Sequence, residues 1–300
     1  MPIIINKDLP AYDTLTKENI FVMPAERAVT QDIRPIEIVV LNLMPTKIDT
    51  ETQLLRLLGN TPLQVNVTLL TTSSYRARNT SGEHLDKFYK SFSDIENKHF
   101  DGMIITGAPV ETLPFEEVLY WDELKKIMDF ADRRVTSTLY ICWGAQAALY
   151  YHYGVRKIAL KNKMFGVFPV KKTENDRLLK GMDDIFYIPH SRHTGIDENA
   201  VFKCPELKVL GVSERAGVSI VKSTDDKRIF LTGHSEYDRE TLKKEYERDL
   251  KKGLPIKPPY NYFSDKSKKE VNMKWASAAN LIFYNWMNYY VYQVTPYNLD

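Results

Sequence analysis

Four short strand-like segments do most to limit what this chain can become: the apolar runs "IEIVVLNL" (36–43) and "DGMIITG" (101–107), the alternating "LQVNVTLLT" (63–71), and "STLYICW" (137–143). Runs of this length, bounded by turn residues, read as buried strands. Helix-like segments lie between and after them. In "MPTKIDTETQLLRLLGN", Asp49 or Thr50 can cap a helix that carries Leu54, Leu55, Leu57 and Leu58 and stops at Gly59. Residues 116–132 and "GAQAALYYHYG", ending at Gly154, have the same character. Alternating strands and helices predict an α/β fold with a central, mostly parallel sheet flanked by helices.

The second half offers further strands in "VFPVKK", "DIFYIP", "LKVLGVS", "GVSIVKS" and "RIFLTGH", then helices over roughly 238–251 and 273–288. Residues 1–35 lack periodicity and predict an N-terminal arm packed on the core with little regular structure. The loop-like "GLPIKPPYNYFSDKSKKE" lies between the last two helices, so residues 36–300 read as one α/β domain.

Charge and cysteine usage narrow the partners. With 41 basic and 39 acidic residues the net charge is +2, which gives no long-range field for nucleic acid or an anionic membrane. Two cysteines make no disulfide framework. The opening "MPIIINKDLP" is neither a signal peptide nor an anchor, and no apolar run approaches the roughly 18 residues of a membrane span. A cytoplasmic protein with reduced thiols is expected.

One of those cysteines, Cys142, falls where a strand gives way to a helix beginning near Gly144. In open α/β sheets ligands gather beyond the carboxyl ends of strands, and a helix N-terminus favours a thiolate. Gly144 and Ala145 keep the turn small, and the backbone N–H of Trp143 could face a developing oxyanion. Tyr140 stands where such elbows often have glycine. Of six histidines, His234 ends a strand-like run with Glu236 two residues on. In an extended chain those side chains share a side, so the carboxylate can fix the imidazole tautomer. His84 and Asp86 have that spacing in a helix-like stretch, where they diverge. His190 and His193 lack a third ligand at a metal-site spacing, so no metal is expected. "ITGAPVE" suits the lining of the same sheet edge. The residues alone leave open a buried structural thiol and a strand-end surface histidine.

The Cys…His-x-Glu order with "ITGAP" upstream resembles the class I glutamine amidotransferase (flavodoxin-like) fold, with N- and C-terminal extensions. More narrowly, "VLNLMPTKIDTE", "NTSGEHL", "FDGMIITGAP", "VTSTLYICWGAQAAL", "PHSR", "TGHSEYD", "PYNYF" and "NWMNYYVYQVTPY" resemble the homoserine O-acyltransferases of methionine biosynthesis, nearly throughout. The resemblance implies a Cys142 nucleophile, His234 as base and Glu236 as its orienting partner. It implies substrate contacts from Lys163, Ser191 and Arg248, and a Lys47 near the reacting centre that supports negative charge. Acetyl-CoA would be a co-substrate with L-homoserine, with no bound cofactor, and the chain would form a homodimer. Glu111 follows "GAPV", where the family pairs glutamate with acetyl and glycine with succinyl transfer. A carboxylate there would repel the distal carboxylate of succinyl, by about 1 kcal/mol in water and about 4 at intermediate dielectric at 4 Å. Succinyl-CoA is the alternative donor, and a glutaminase of the same fold the rival activity. Cys204 has no assigned role beyond a buried structural thiol.

Overall fold

The computed structural model describes residues 3–18, 20, 22–23, 34–74, 80–265 and 267–295. In chain order the elements are β1 (Ile3–Ile4), α1 (Pro10–Lys17), β2 (Val22–Met23), β3 (Ile36–Leu41), α2 (Lys47–Leu58), β4 (Val65–Leu70), α3 (Gly82–Phe88), β5 (Tyr89–Lys90), β6 (Phe100–Ile105), α4 (Trp121–Arg134), β7 (Val135–Ile141) and α5 (Trp143–Tyr153). The second half holds β8 (Lys157–Lys172), β9 (Ile185–Ile196), α6 (Glu198–Lys203), β10 (Leu207–Ser213), β11 (Gly217–Ser223), β12 (Arg228–Leu231), α7 (Thr241–Lys251) and α8 (Ala276–Asn285), which runs on into a π-helical segment, Trp286–Tyr292.

The strands form one sheet in the order β2-β1-β4-β3-β6-β7-β12-β11-β10-β8-β9, with β5 beside β4. From β2 to β12 every pairing is parallel, and from β12 to β9 every pairing is antiparallel. The parallel strands are apolar on both sides because both faces are covered. Ile38 and Val40 of β3 pack with Leu54 and Leu58 of α2 and with Ile282 and Phe283 of α8. Val39 and Leu41 face the other way, toward Leu124, Ile127 and Met128 of α4 and Leu149 of α5. A third cluster, including Phe165, Tyr237, Tyr246, Tyr262 and Trp275, fills the space beside the β8–β9 hairpin and α7.

Three expectations change. The arm is not without regular structure: β1 pairs with β4, and α1 buries Ala11 and Leu15. Pro10 starts that helix at a position where a missing N–H costs nothing. Residues 24–33 of the arm lie outside the described residues. The helix foreseen over 116–132 is split into a 3-10 turn, Phe115–Glu117, and α4. "VFPVKK" and "DIFYIP" are only parts of a long hairpin, whose register shifts between Ala159 and Met164. Within it Gly166 has φ 143°, and a Cβ there would stand 2.4 Å from the Tyr260 backbone, so the 253–270 loop is strapped onto β8 only because that residue is glycine. Among the described residues no helix is long and apolar enough to cross a membrane.

Candidate active site

β7 and β12 are parallel neighbours, with Ile141 opposite Leu231, so the segments that follow them leave the sheet side by side. Cys142 is the first residue beyond β7. Its N–H donates to the Leu231 carbonyl (2.7 Å), and its φ of 51° turns the chain straight into α5. A positive φ at a non-glycine residue is a strained geometry that surrounding structure must hold. The hold here is close packing. A Cβ on Gly144 would come within 2.6 Å of the Thr106 carbonyl, so α5 lies hard against the end of β6. The N–H of Trp143, in the first turn, has no intrahelical partner and is available beside the thiol.

Beyond β12 the chain does not stay extended: it bends, and the Tyr237 N–H donates to the His234 carbonyl. The pair foreseen from extended geometry forms anyway, within the turn. Glu236 Oε1 lies 2.6 Å from His234 Nδ1, which leaves Nε2 for Cys142. Cys142, His234 and Glu236 are all buried. Burial opposes a charge on His234, but Cys142 and Glu236 outweigh it and hold the imidazole proton well above the ordinary range, Cys142 through charge and a hydrogen bond. Gly107, from the "ITGAP" turn, lies against both: a Cβ there would be 3.2 Å from His234 Cε1 and 3.3 Å from Cys142 Cβ. Tyr140 points away from the thiol, stacked on Phe230.

A cleft of about 260 Å³ opens over this group, and Glu111, Trp143, Lys163, Ser191, His193 and Arg248 line it together with Cys142 and His234. One end is charged. Lys163 Nζ lies 3.2 Å from Asp249 and 3.6 Å from Glu245, and Ser191 Oγ donates to Glu245 (2.5 Å). Arg248 is held by its neighbour Asp249 at 2.8 Å, with about half its side chain exposed. Burial pushes the Asp249 carboxyl up, but hydrogen bonds from Arg248 and Lys163 outweigh it and hold it below the usual range. Glu111 reaches β9, where its Oε2 accepts from the N–H groups of His193 (2.7 Å) and Thr194 (3.1 Å) and from the Thr194 hydroxyl (3.1 Å).

A family model described as HTS, homoserine O-succinyltransferase, matches residues 2–297. The chain belongs to this family. A homoserine O-acetyltransferase of Clostridium novyi (strain NT) is 60% identical over 301 residues, covering 99% of each chain. One from Geobacillus sp. (strain WCH70) is 60% identical over 302 residues, covering 100% of each. Among solved structures, a glutamine amidotransferase from Thermotoga maritima aligns with TM-score 0.57 at 12% identity, over 85% of this chain and 97% of that one. That likeness bears on the fold, which is the amidotransferase-like α/β fold the sequence predicts.

In this member of the HTS family Lys47 does not line the catalytic cleft. It begins α2, its Nζ folds back onto the Asn42 carbonyl, and it faces an adjoining cavity. Burial, opposed by Glu51, pulls its pKa down to about 8. His84 is buried and pairs with Glu51 (3.0 Å). His190 is a buried residue of β9, accepting from Arg192 at 3.3 Å, and among the described residues no cluster of His, Cys, Asp or Glu could hold a metal ion. Cys204 is a free, half-buried thiol at the end of α6.

Three residues went unnoticed in the sequence. Tyr237 stacks on His234 with ring centroids 4.1 Å apart, steadying the imidazole. Glu245 completes the charged end. Arg192 alternates along β9 with Ser191 and His193 and is buried, donating to the carbonyls of Thr194 and Ala216 at 2.6 Å each. Only Glu245 left a signal, as the acid three residues before Arg248 on one helix face.

Proposed function

We propose that the protein is a homoserine O-acetyltransferase: it moves an acetyl group from acetyl-CoA to the side-chain hydroxyl of L-homoserine through an acetyl-Cys142 thioester. The observation that carries the proposal is the buried Cys142–His234–Glu236 relay at a strand–helix corner, in a chain whose relatives at 60% identity bear that name. His234 Nε2 takes the thiol proton, and Sγ attacks the thioester carbonyl. The carbonyl oxygen gains negative charge beside the Trp143 N–H. Coenzyme A leaves as a thiol, carrying the proton from His234. The homoserine hydroxyl then gives its proton to His234 and attacks the acyl carbon, and Sγ leaves, taking that proton back from His234 to restore the thiol. Glu236 holds the tautomer and balances the imidazolium.

Homoserine is a zwitterion, and the charged end of the cleft supplies both signs. Arg248 and Lys163 suit its carboxylate, and Glu245 with Ser191 suits its ammonium and polar atoms. The family's name points to succinyl as the alternative acyl group. Glu111 favours acetyl, because its carboxylate already occupies the donors of β9 that a distal carboxylate would need. The proposal extends to a cytoplasmic homodimer without a bound cofactor, as the family resemblance implies. Mass spectrometry after mixing with acetyl-CoA alone should find one acetyl group on Cys142, discharged by homoserine. Its absence, or its survival in the presence of homoserine, rejects the proposal.

A further inference from the structure

Beside the catalytic cleft lies a second cavity, of about 400 Å³, within the size range typical of small-molecule sites. We propose that it receives the pantetheine arm of the acyl-CoA, so that the two substrates reach Cys142 from opposite sides. This rests on the acyltransferase reading above.

Topology supplies the first argument. Strand order β4-β3-β6-β7-β12 is the 2-1-3-4-5 order of doubly wound sheets. Connections run one way from β3 to β4 and back the other way to β6, so the switch point falls between β3 and β6, where such folds bind ligands beyond the strand ends. The cavity is built there, from the segments after β3 (42–47), after β4 (71–72) and after β6 (109–120).

Continuity is the second argument. Met44, Pro45 and Pro109 line both this cavity and the cleft that contains Cys142. A chain lying in the cavity can therefore deliver its end to the sulfur. Composition is the third. Val110, Leu113, Val118 and Leu119 give the cavity an apolar wall, with Leu113 40% and Leu119 78% exposed. Asn42, Lys47, Thr71, Thr72 and Glu117 add a few polar groups, one cation against one carboxylate, which suits a flexible apolar arm interrupted by amides.

The competing spaces fit worse. The cavity between α2 and α7 also reaches the cleft, through Met44, Pro45, Tyr237, Glu245 and Arg248, but it opens at the charged end matched to homoserine and is lined by five carboxylates against four cations, a poor surface for a polyanionic nucleotide. The cavity around Arg192 and Glu198 shares no lining residue with the cleft. Homoserine's zwitterion is matched at the Arg248 end, which leaves the Pro109 side for the donor.

The test uses Leu119→Glu, at a side chain exposed enough to leave folding intact, and Leu113→Trp, which fills the cavity. Both should raise KM for acetyl-CoA by about tenfold or more. KM for homoserine should stay within about twofold, and so should the rate at which p-nitrophenyl acetate acetylates Cys142, because that donor has no arm. An unchanged KM for acetyl-CoA in both variants overturns the assignment. A wild-type protein acetylated by p-nitrophenyl acetate but not by acetyl-CoA refutes instead the acyltransferase reading beneath it.

Discussion

Replacing Glu111 by glycine should turn an acetyl-selective enzyme toward succinyl-CoA. In the structure one oxygen of this carboxylate is bound by two N–H groups and a hydroxyl on β9, facing the cleft that holds Cys142. A succinyl group on the sulfur would bring a second carboxylate toward the same donors. At about 4 Å the two would repel by about 1 kcal/mol if water fills the gap and about 4 at the effective dielectric of a protein surface. Glycine removes that repulsion and also frees the two N–H donors, each worth about 1.5–3 kcal/mol to a carboxylate that takes them fully; the Thr194 hydroxyl also donates to Gln146 (2.9 Å). Since 1.4 kcal/mol is tenfold, the ratio of kcat/KM for succinyl-CoA over acetyl-CoA should rise at least about fivefold from charge alone, and by about 10³ or more if the donors are reused. Thiol release followed with both donors measures this ratio. Glu111→Gln separates the causes, because it removes the charge and keeps the volume. A ratio that moves less than about twofold in Glu111→Gly would refute the electrostatic reasoning, since 1 kcal/mol already predicts about fivefold.

Glu236→Gln should lower kcat by about 10²–10⁴-fold with little change in KM for homoserine, because the charge that balances the imidazolium is lost and the binding end is untouched. A fall in kcat below about tenfold would contradict that role. Gly107→Ala should cost about 10²-fold in kcat at nearly unchanged melting temperature, its methyl wedging between His234 and Cys142. Full activity would mean that those contacts yield easily. Lys47 tests linkage: with its pKa held at about 8 when folded and near 10.5 when unfolded, the unfolded chain binds more protons between those values. Stability relative to Lys47→Met should therefore rise with pH over that interval, by up to about 3 kcal/mol. Urea titrations at both ends of the interval that differ equally for the two proteins would refute it.

The parallel half of the sheet was legible because burial on both faces gives its strands short apolar stretches, as in Ile38–Leu41 of β3, Met103–Ile105 of β6 and Leu139–Ile141 of β7. The β8–β9 hairpin was legible only in part: "VFPVKK" and "DIFYIP" mark the end near its turn, whereas the far end of β8 carries exposed Ile158 among lysines and shifts register before Met164, so neither strand alternation nor an apolar run marks it. The triad drew attention because cysteine is scarce and His-x-Glu is short, but those residues alone left a structural thiol open, and the catalytic roles came from the family resemblance. That His234 and Glu236 meet in a bend rather than an extended segment was invisible, since turn geometry there depends on the Pro189 carbonyl, which receives the His234 N–H from a distant strand. Arg192 and Tyr237 act through contacts between β9, β11 and the segment after β12, which no local pattern encodes.

The seam between parallel and antiparallel halves separates two tasks. Nucleophile and base leave adjacent parallel strands, while Ser191 and the amides that grip Glu111 come from the β9 arm of the hairpin. Change in the hairpin can thus retune which acyl chain is accepted while proton transfer stays intact. On the proposed role of Glu111, one proton relay would serve different acyl donors, the choice being made at the hairpin or at the single loop residue it grips.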